Sequence, residues 1–258
     1  MPAVKESSSG DPPRNPRSAT TLVILGVVAV AIFAGLCALG TWQVHRLAWK
    51  HALIAQVDAR AHAPATPAPG RGEWSALTSD NAEYRRVSVT GVYQYNRQTL
   101  VQAATELGSG YWVMTPLQLA DGGTVLVNRG FVLPEWRKGQ ADAAQPSAQA
   151  SVTGLLRMGE PGSGFLRNND PAANLWYSRD LPAIAAARSL ADVAPYFIDA
   201  DAVDGARDAR KAPVGGLTVL TFPNNHLVYA ITWYALAAMV LVGAFIFVRE
   251  EKRARRKG

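Results

Sequence analysis

Two long apolar runs bracket a middle segment with a different rhythm. Residues 18–44 carry no charged side chain, residues 22–39 are almost wholly apolar, and a second run from Leu227 meets no charge until Arg249. About 22 residues at about 1.5 Å each cross a hydrocarbon core of about 30 Å, so both runs predict membrane-spanning helices. Gly26, Gly35 and Gly40 in the first run are small enough for close helix packing. The apolar core of a cleaved signal peptide is about 7 to 15 residues and ends in a small-x-small site. Here the run is longer and leads into Trp42, Gln43 and Arg46, which predicts a retained anchor. After Gly40 the chain lacks Gly and Pro up to Ala61, so the helix is expected to continue to about Arg60, with Arg46 and Lys50 on one side. The Pro, Ala and Gly of HAPATPAPGRG, residues 62–72, then predict an extended linker.

From Tyr84 to Leu217 short β-branched and aromatic runs alternate with Gly, Asp, Asn and Pro. Val87, Val89, Gly91 and Tyr93 interleave with Ser88, Thr90 and Val92, the period of a strand with one face in a core. Further strands are expected at 98–103, 111–119, 124–131, 151–157 and 196–199, with a hairpin turn at Asp121-Gly122-Gly123. Residues 181–190 form the one clear helical pattern in this part, and loops are expected at 138–149 and 201–216. The fold class that follows is a membrane protein. Two transmembrane α-helices flank a β-rich α+β extracytoplasmic domain, whose antiparallel sheet is either open or a partly closed barrel. In domain terms the expectation is a disordered cytoplasmic leader at 1–17, spans at 18–44 and 223–248, the β-rich domain with its juxtamembrane helix at 45–222, and a basic cytoplasmic tail at 249–258.

Composition adds two exclusions. The 258 residues contain a single cysteine, Cys37, within an apolar run, so no intrachain disulfide or thiolate pair can form. The net charge of +6 is concentrated at the ends: the last ten residues hold six Lys or Arg against two acids. A basic tail flush against a span reads as a positive-inside signal and a partner for anionic membrane lipid, which makes nucleic acid a poor explanation and places both termini in the cytoplasm.

The middle segment offers little for catalysis. It has no GxSxG elbow, no HExxH pair, no Gly-rich phosphate loop, and no histidine between His62 and His226. His45 and His51 are six apart and do not share a helical face. His226 differs: it stands at the mouth of the second span after Pro223, Asn224 and Asn225, and in a helix it shares a face with Tyr229, Ala230, Trp233 and Ala237. Tyr and Trp also gather at membrane interfaces for their own sake. An ionisable group at a span entrance is nevertheless a functional candidate, and neutral imidazole is a common ligand of haem iron. Arg46, expected at the same membrane depth, and Arg85 are candidate partners for a carboxylate. An Arg pair such as Arg85-Arg86 at a strand start is more often a solvated edge, and Arg129 and Arg137 carry the same ambiguity.

Several stretches, in order, carry a resemblance: Leu39-Gly40-Thr41-Trp42-Gln43 with Arg46 and Lys50; Tyr84-Arg85-Arg86-Val87 with Gly91; Gly110-Tyr111 to Pro116-Leu117; Val127-Asn128-Arg129-Gly130-Phe131; Gly154 to Arg157; and Asn224-Asn225-His226-Leu227 with Tyr229-Ala230 and Trp233-Tyr234. Together they resemble the surfeit-locus (Surf/Shy) family of cytochrome c oxidase assembly factors. Members of that family sit in the inner or mitochondrial inner membrane, so the resemblance implies a multi-pass protein of the cell (inner) membrane that presents its loop domain on the outer side. It implies a respiratory-chain chaperone rather than an enzyme, which helps mature the haem a centres of the oxidase. The implied cofactor is haem a, and the implied partners are the oxidase catalytic subunit and the machinery of haem a synthesis. His226 matches the family's candidate iron ligand, giving His226, Tyr229, Trp233, Arg46 and Arg85 as the candidate haem site and His226 as the metal ligand. Phe131 stands where the family commonly has tryptophan, and His45 matches no motif position. Two other readings stay open at this point: a tethered interaction module that binds the nascent oxidase without haem, and a membrane-anchored extracytoplasmic enzyme.

Overall fold

The computed structural model describes residues 17–139, 149–160, 167–203, 205 and 208–257. The leader expected at 1–17, Arg17 excepted, and most of the loop expected at 138–149 lie outside the described residues. The chain forms two compact units, a helix pair (to Leu53 and from Phe222) and a β domain (Ile54–Thr221).

In the helix pair, α1 (Ala19–His62) and α5 (His226–Lys257) are both long and apolar enough to cross a membrane. Their large apolar side chains point outward: Val23, Val27, Val30, Leu241 and Phe245 are all more than half exposed. The core helix of a soluble protein would bury such residues, and their exposure suits a lipid-facing surface. Helix α1 continues well past the expected interface to His62, and α5 continues through the basic tail to Lys257. Of the three glycines expected to serve close packing, only Gly40 does so. A Cβ there would lie 2.9 Å from the Tyr234 ring, whereas one on Gly26 or Gly35 would meet nothing within 4 Å. The contact is fixed further by Thr41 Oγ1 and Tyr234 Oη, 3.0 Å apart.

The β domain is a closed barrel, not an open sheet. Strands β2 (Arg86–Tyr93), β6 (Gln149–Met158), β7 (Val193–Ala200), β5 (Thr124–Val132) and β4 (Gly108–Leu119) follow one another around it, and β4 pairs back onto β2. Strand β3 (Thr99–Thr105) extends β4, and the two-residue β1 (Thr66–Pro67) adds to β2. The expected strands all appear, but the sheet is not purely antiparallel: β5 and β7 run parallel, as do β1 and β2. Closure occurs at Gly91, which faces Leu119; a Cβ there would fall 2.5 Å from the Gln118 carbonyl oxygen, so the two strands approach this closely only with glycine.

Period-two alternation sorts each strand between two cores. Val125 and Val127 join Val87, Leu117, Leu156 and Ile198 inside the barrel, while Leu126 between them joins Met114 and Phe197 on the outer face. That outer face is covered by Trp176 and by Leu181 and Ile184 of α4 (Leu181–Ala187). Helix α4 starts where Asp180 accepts the Ala183 N–H at 3.1 Å, a side-chain cap on an otherwise unpaired donor. Two short helices beyond the expected one also form, α2 (Ser79–Ala82), capped by Thr78, and α3 (Pro134–Gly139). The last turns of α1 are part of this unit: Val57 and Ala61 are buried, and the Arg60 guanidinium donates to the Asp80 carbonyl at 2.7 Å.

Candidate functional site

His226 is the first residue of α5, and its surroundings are built by both helices of the pair. Asn224 Oδ1 accepts the His226 backbone N–H at 3.3 Å, and Lys50 Nζ donates to the Pro223 carbonyl at 2.5 Å, so the turn that starts the helix is held by a side chain of α1. The half-buried imidazole places Nδ1 2.7 Å from Gln43 Oε1. An amide oxygen only accepts, so Nδ1 carries the proton, and in the neutral ring the lone pair lies on Nε2. A metal-ligating histidine commonly makes such a bond, in which the acceptor fixes the tautomer and ring orientation. Gln43 was legible only as part of a motif.

The face expected on α5 divides in two. Ala230 and Ala237 are each 2% exposed and lie on the same side as His226 and Tyr234, whose side chains bond to Gln43 and Thr41 of α1. Tyr229 is 54% exposed on the flank, and Trp233 is half-buried between the two. Arg46 lies one turn beyond Gln43 on α1, exposed, with its guanidinium 3.9 Å from the centre of the Trp49 ring. These residues all belong to the helix pair. Arg85 belongs to the β domain, where its N–H and carbonyl bond Ala82 and Leu156. His45 and His51 are exposed on α1. Among the described residues, no group of three or more His, Cys, Asp or Glu could hold a bare metal ion, so His226 is a single donor. A single imidazole beside exposed aromatics fits a metal that brings its other ligands with it.

The β domain contains a second polar centre that sequence reasoning missed. Asp199 on β7 is 6% exposed, and its carboxylate accepts from Asn128 Nδ2 at 2.7 Å, Thr218 Oγ1 at 3.0 Å and Arg157 at 3.3 Å, with Arg179 at 3.6 Å. Arg157 also pairs with Glu83 at 3.0 Å and lies over the Tyr84 ring, while Arg179 pairs with Glu160 at 2.5 Å and lies over Phe197. Burial alone would lower the Arg157 pKa, but Asp199 and Glu83 outweigh it and raise the value, so the guanidinium stays charged. For Glu160 burial pushes upward, yet the Arg179 hydrogen bonds and charge prevail and hold its carboxyl below the ordinary value. The cluster floors a cavity of about 260 Å³ that Tyr84, Trp112 and Gly130 also line. Tyr84 and Gly130 both adopt positive φ, +64° and +130°, and a Cβ on Gly130 would lie 2.3 Å from the Val214 carbonyl. Phe131 is fully buried and meets Trp112 edge-on at 5.7 Å, so the ring at that motif position serves the core.

Tyr84, Asn128, Gly130 and Arg157 come from three separate stretches of the sequence, and all line this one cavity. Comparison with known proteins covers most of the chain. The SURF1 family model matches residues 30–238. Surfeit locus protein 1 of Rattus norvegicus is 36% identical over 78% of this chain and 68% of its own length, and that of Homo sapiens is 36% identical over 78% and 69%. A SURF1-like protein of Drosophila melanogaster is 32% identical over 88% of this chain and 77% of its own. The match runs from within α1 through the barrel and into α5, and by it this chain belongs to the SURF1 family.

Proposed function

We propose that this protein is a membrane-embedded assembly factor for cytochrome c oxidase that holds haem a at His226 and passes it to the oxidase catalytic subunit. Membership of the SURF1 family supports the assembly role. The observation that carries the haem reading is the 2.7 Å bond from His226 Nδ1 to Gln43 Oε1, which leaves Nε2 as the ring nitrogen available to a metal, on the helix that also carries Tyr229 and Trp233. Haem a is here the cargo and not the agent of a turnover. Gln43 orients the ring, Lys50 and Asn224 fix the turn that carries it, and Tyr229, one turn along α5, adds an exposed aromatic ring. Arg46 supplies a cation for a propionate, since a guanidinium pairs with a carboxylate through two parallel N–H donors. Haem a synthesis would deliver the cargo.

The same proposal places the protein in the cell membrane with both termini cytoplasmic and the β domain outside, because the last ten residues carry six cations against two acids beside a span. Alkaline phosphatase inserted at the exposed Glu106 turn is expected to be active and a fusion at the C-terminus inactive; the reverse pattern overturns the orientation. The haem reading is tested by the absorption spectrum of the protein purified after co-expression with haem a synthesis. A Soret band in stoichiometric yield supports it. A colourless protein that still captures the oxidase catalytic subunit would show a chaperone acting without haem.

A further inference from the structure

The two membrane helices meet closely where Gly40 receives the Tyr234 ring, but nearer the start of α1 and the basic end of α5 they leave a cleft of about 600 Å³. Leu25, Gly26 and Ala29 of α1 and Gly243, Ala244 and Phe247 of α5 line it. A Cβ on Gly26 or Gly243 would meet nothing within 4 Å, so these glycines face open space and do not seal a helix contact. Such a volume is in the range of small-molecule sites, roughly 300–1,000 Å³. Its apolar walls give water no partners, and an empty void would forfeit dispersion contacts on both helices.

The mouth of the cleft is chemically different from its walls. Arg17, Lys252 and Arg255 stand there with one acid, Glu251. Glu251 is already engaged: its Oε1 accepts the Arg17 backbone N–H at 3.0 Å and pairs with Arg255 at 3.3 Å. The Arg17 guanidinium lies 4.9 Å over the Phe247 ring, capping the apolar wall with a cation. Three cations against one acid leave two positive charges at the rim. From the start of α1 at Ala19 to Ala29 is about 15 Å of helix rise, half of a hydrocarbon core of about 30 Å, so the cleft has the depth of one leaflet.

We infer that this cleft is a specific lipid site: it takes an acyl chain of an anionic phospholipid, whose phosphate is held by Arg17, Lys252 and Arg255. The charge of the rim selects the headgroup. A zwitterionic lipid would bring its own ammonium to the same cations and lose most of the gain. This site rests on α1 and α5 being membrane spans and is independent of haem at His226.

The test is native mass spectrometry of the full-length protein in detergent, titrated with phosphatidylglycerol or phosphatidylcholine, alongside alkaline carbonate washing of membranes. The expected result is one tightly held phosphatidylglycerol per chain, at least fivefold preferred over phosphatidylcholine. Filling the cleft with Gly26→Leu and Gly243→Leu together abolishes that adduct, and Lys252→Gln with Arg255→Gln removes the headgroup preference. Both variants remain in carbonate-washed membranes. Equal retention of the two lipids, an undiminished adduct in the filled variant, or a dimer that fills the cleft after delipidation would overturn the site. Release of the wild-type protein by carbonate would overturn the span reading itself.

Discussion

Replacing Asp199 by Ala removes the one carboxylate shared by Arg157 and Arg179 and strips Asn128 and Thr218 of their acceptor. Breaking one side of a buried ion pair costs about 3–5 kcal/mol, because the remaining charge is left without compensation. Here each guanidinium keeps a second partner, Glu83 or Glu160, and the two side chains are 17% and 15% exposed, so the lower end, about 3 kcal/mol, applies. For a domain of this size that corresponds to a fall in Tm of roughly 6–12 °C. Asp199→Asn retains an acceptor in the same place but not the charge, and should cost about 1.5 kcal/mol. Urea unfolding of the detergent-solubilised protein, followed by fluorescence of the buried Trp136 and Trp176, measures both changes. An Asp199→Ala loss below about 1 kcal/mol would mean that the arginines are satisfied by Glu83 and Glu160 alone, and that Asp199 does not hold the cluster together.

Three further outcomes follow from the geometry. Because Glu160 is held below its ordinary pKa when folded, the unfolded chain binds more protons, and the stability it contributes is complete above the ordinary carboxylate value and lost as pH falls through the lowered one. Glu160→Gln should therefore flatten the acid limb of a stability-against-pH curve, and an unchanged limb would refute the assignment. Gly130→Ala should destabilise the domain by about 2 kcal/mol in the same urea assay, since φ of +130° and the Val214 carbonyl both oppose a side chain; an unshifted midpoint would show that the loop yields freely. Gln43→Leu should weaken haem binding about 10–100-fold while His226 remains, the usual effect of losing the acceptor behind a ligating histidine, and unchanged affinity in a haem titration would remove Gln43 from the site.

The spans were legible because a run of uncharged residues long enough to cross a bilayer has few other uses, and the strands because alternation at Val87, Val89 and Tyr93 has one simple meaning. Barrel closure was not legible. The pairing of Gly91 with Leu119 depends on how tightly two backbones can approach, and Gly91 in the sequence looks like any glycine in a strand. The parallel pairing of β5 with β7 is separated by more of the chain than any local pattern spans. Asp199 carried a signal that could have been used: an acid in the apolar run Tyr196-Phe197-Ile198 is buried only if cations meet it, and Arg157 lies in another predicted strand. His226 was visible as the lone histidine at a span entrance. What Nδ1 bonds to depends on the register of α1 against α5, which the hydrophobic pattern does not encode.

The central claim, that His226 holds the cargo, is tested most directly by comparing wild type with His226→Ala after co-expression with haem a synthesis, reading Soret absorbance per protein and the level of membrane-inserted chain. The account predicts that the variant accumulates in the membrane like the wild type, since one side chain at the helix start adds little to a span of more than twenty apolar residues, and that its haem occupancy falls at least tenfold. Full occupancy with an unchanged spectrum in His226→Ala would contradict it.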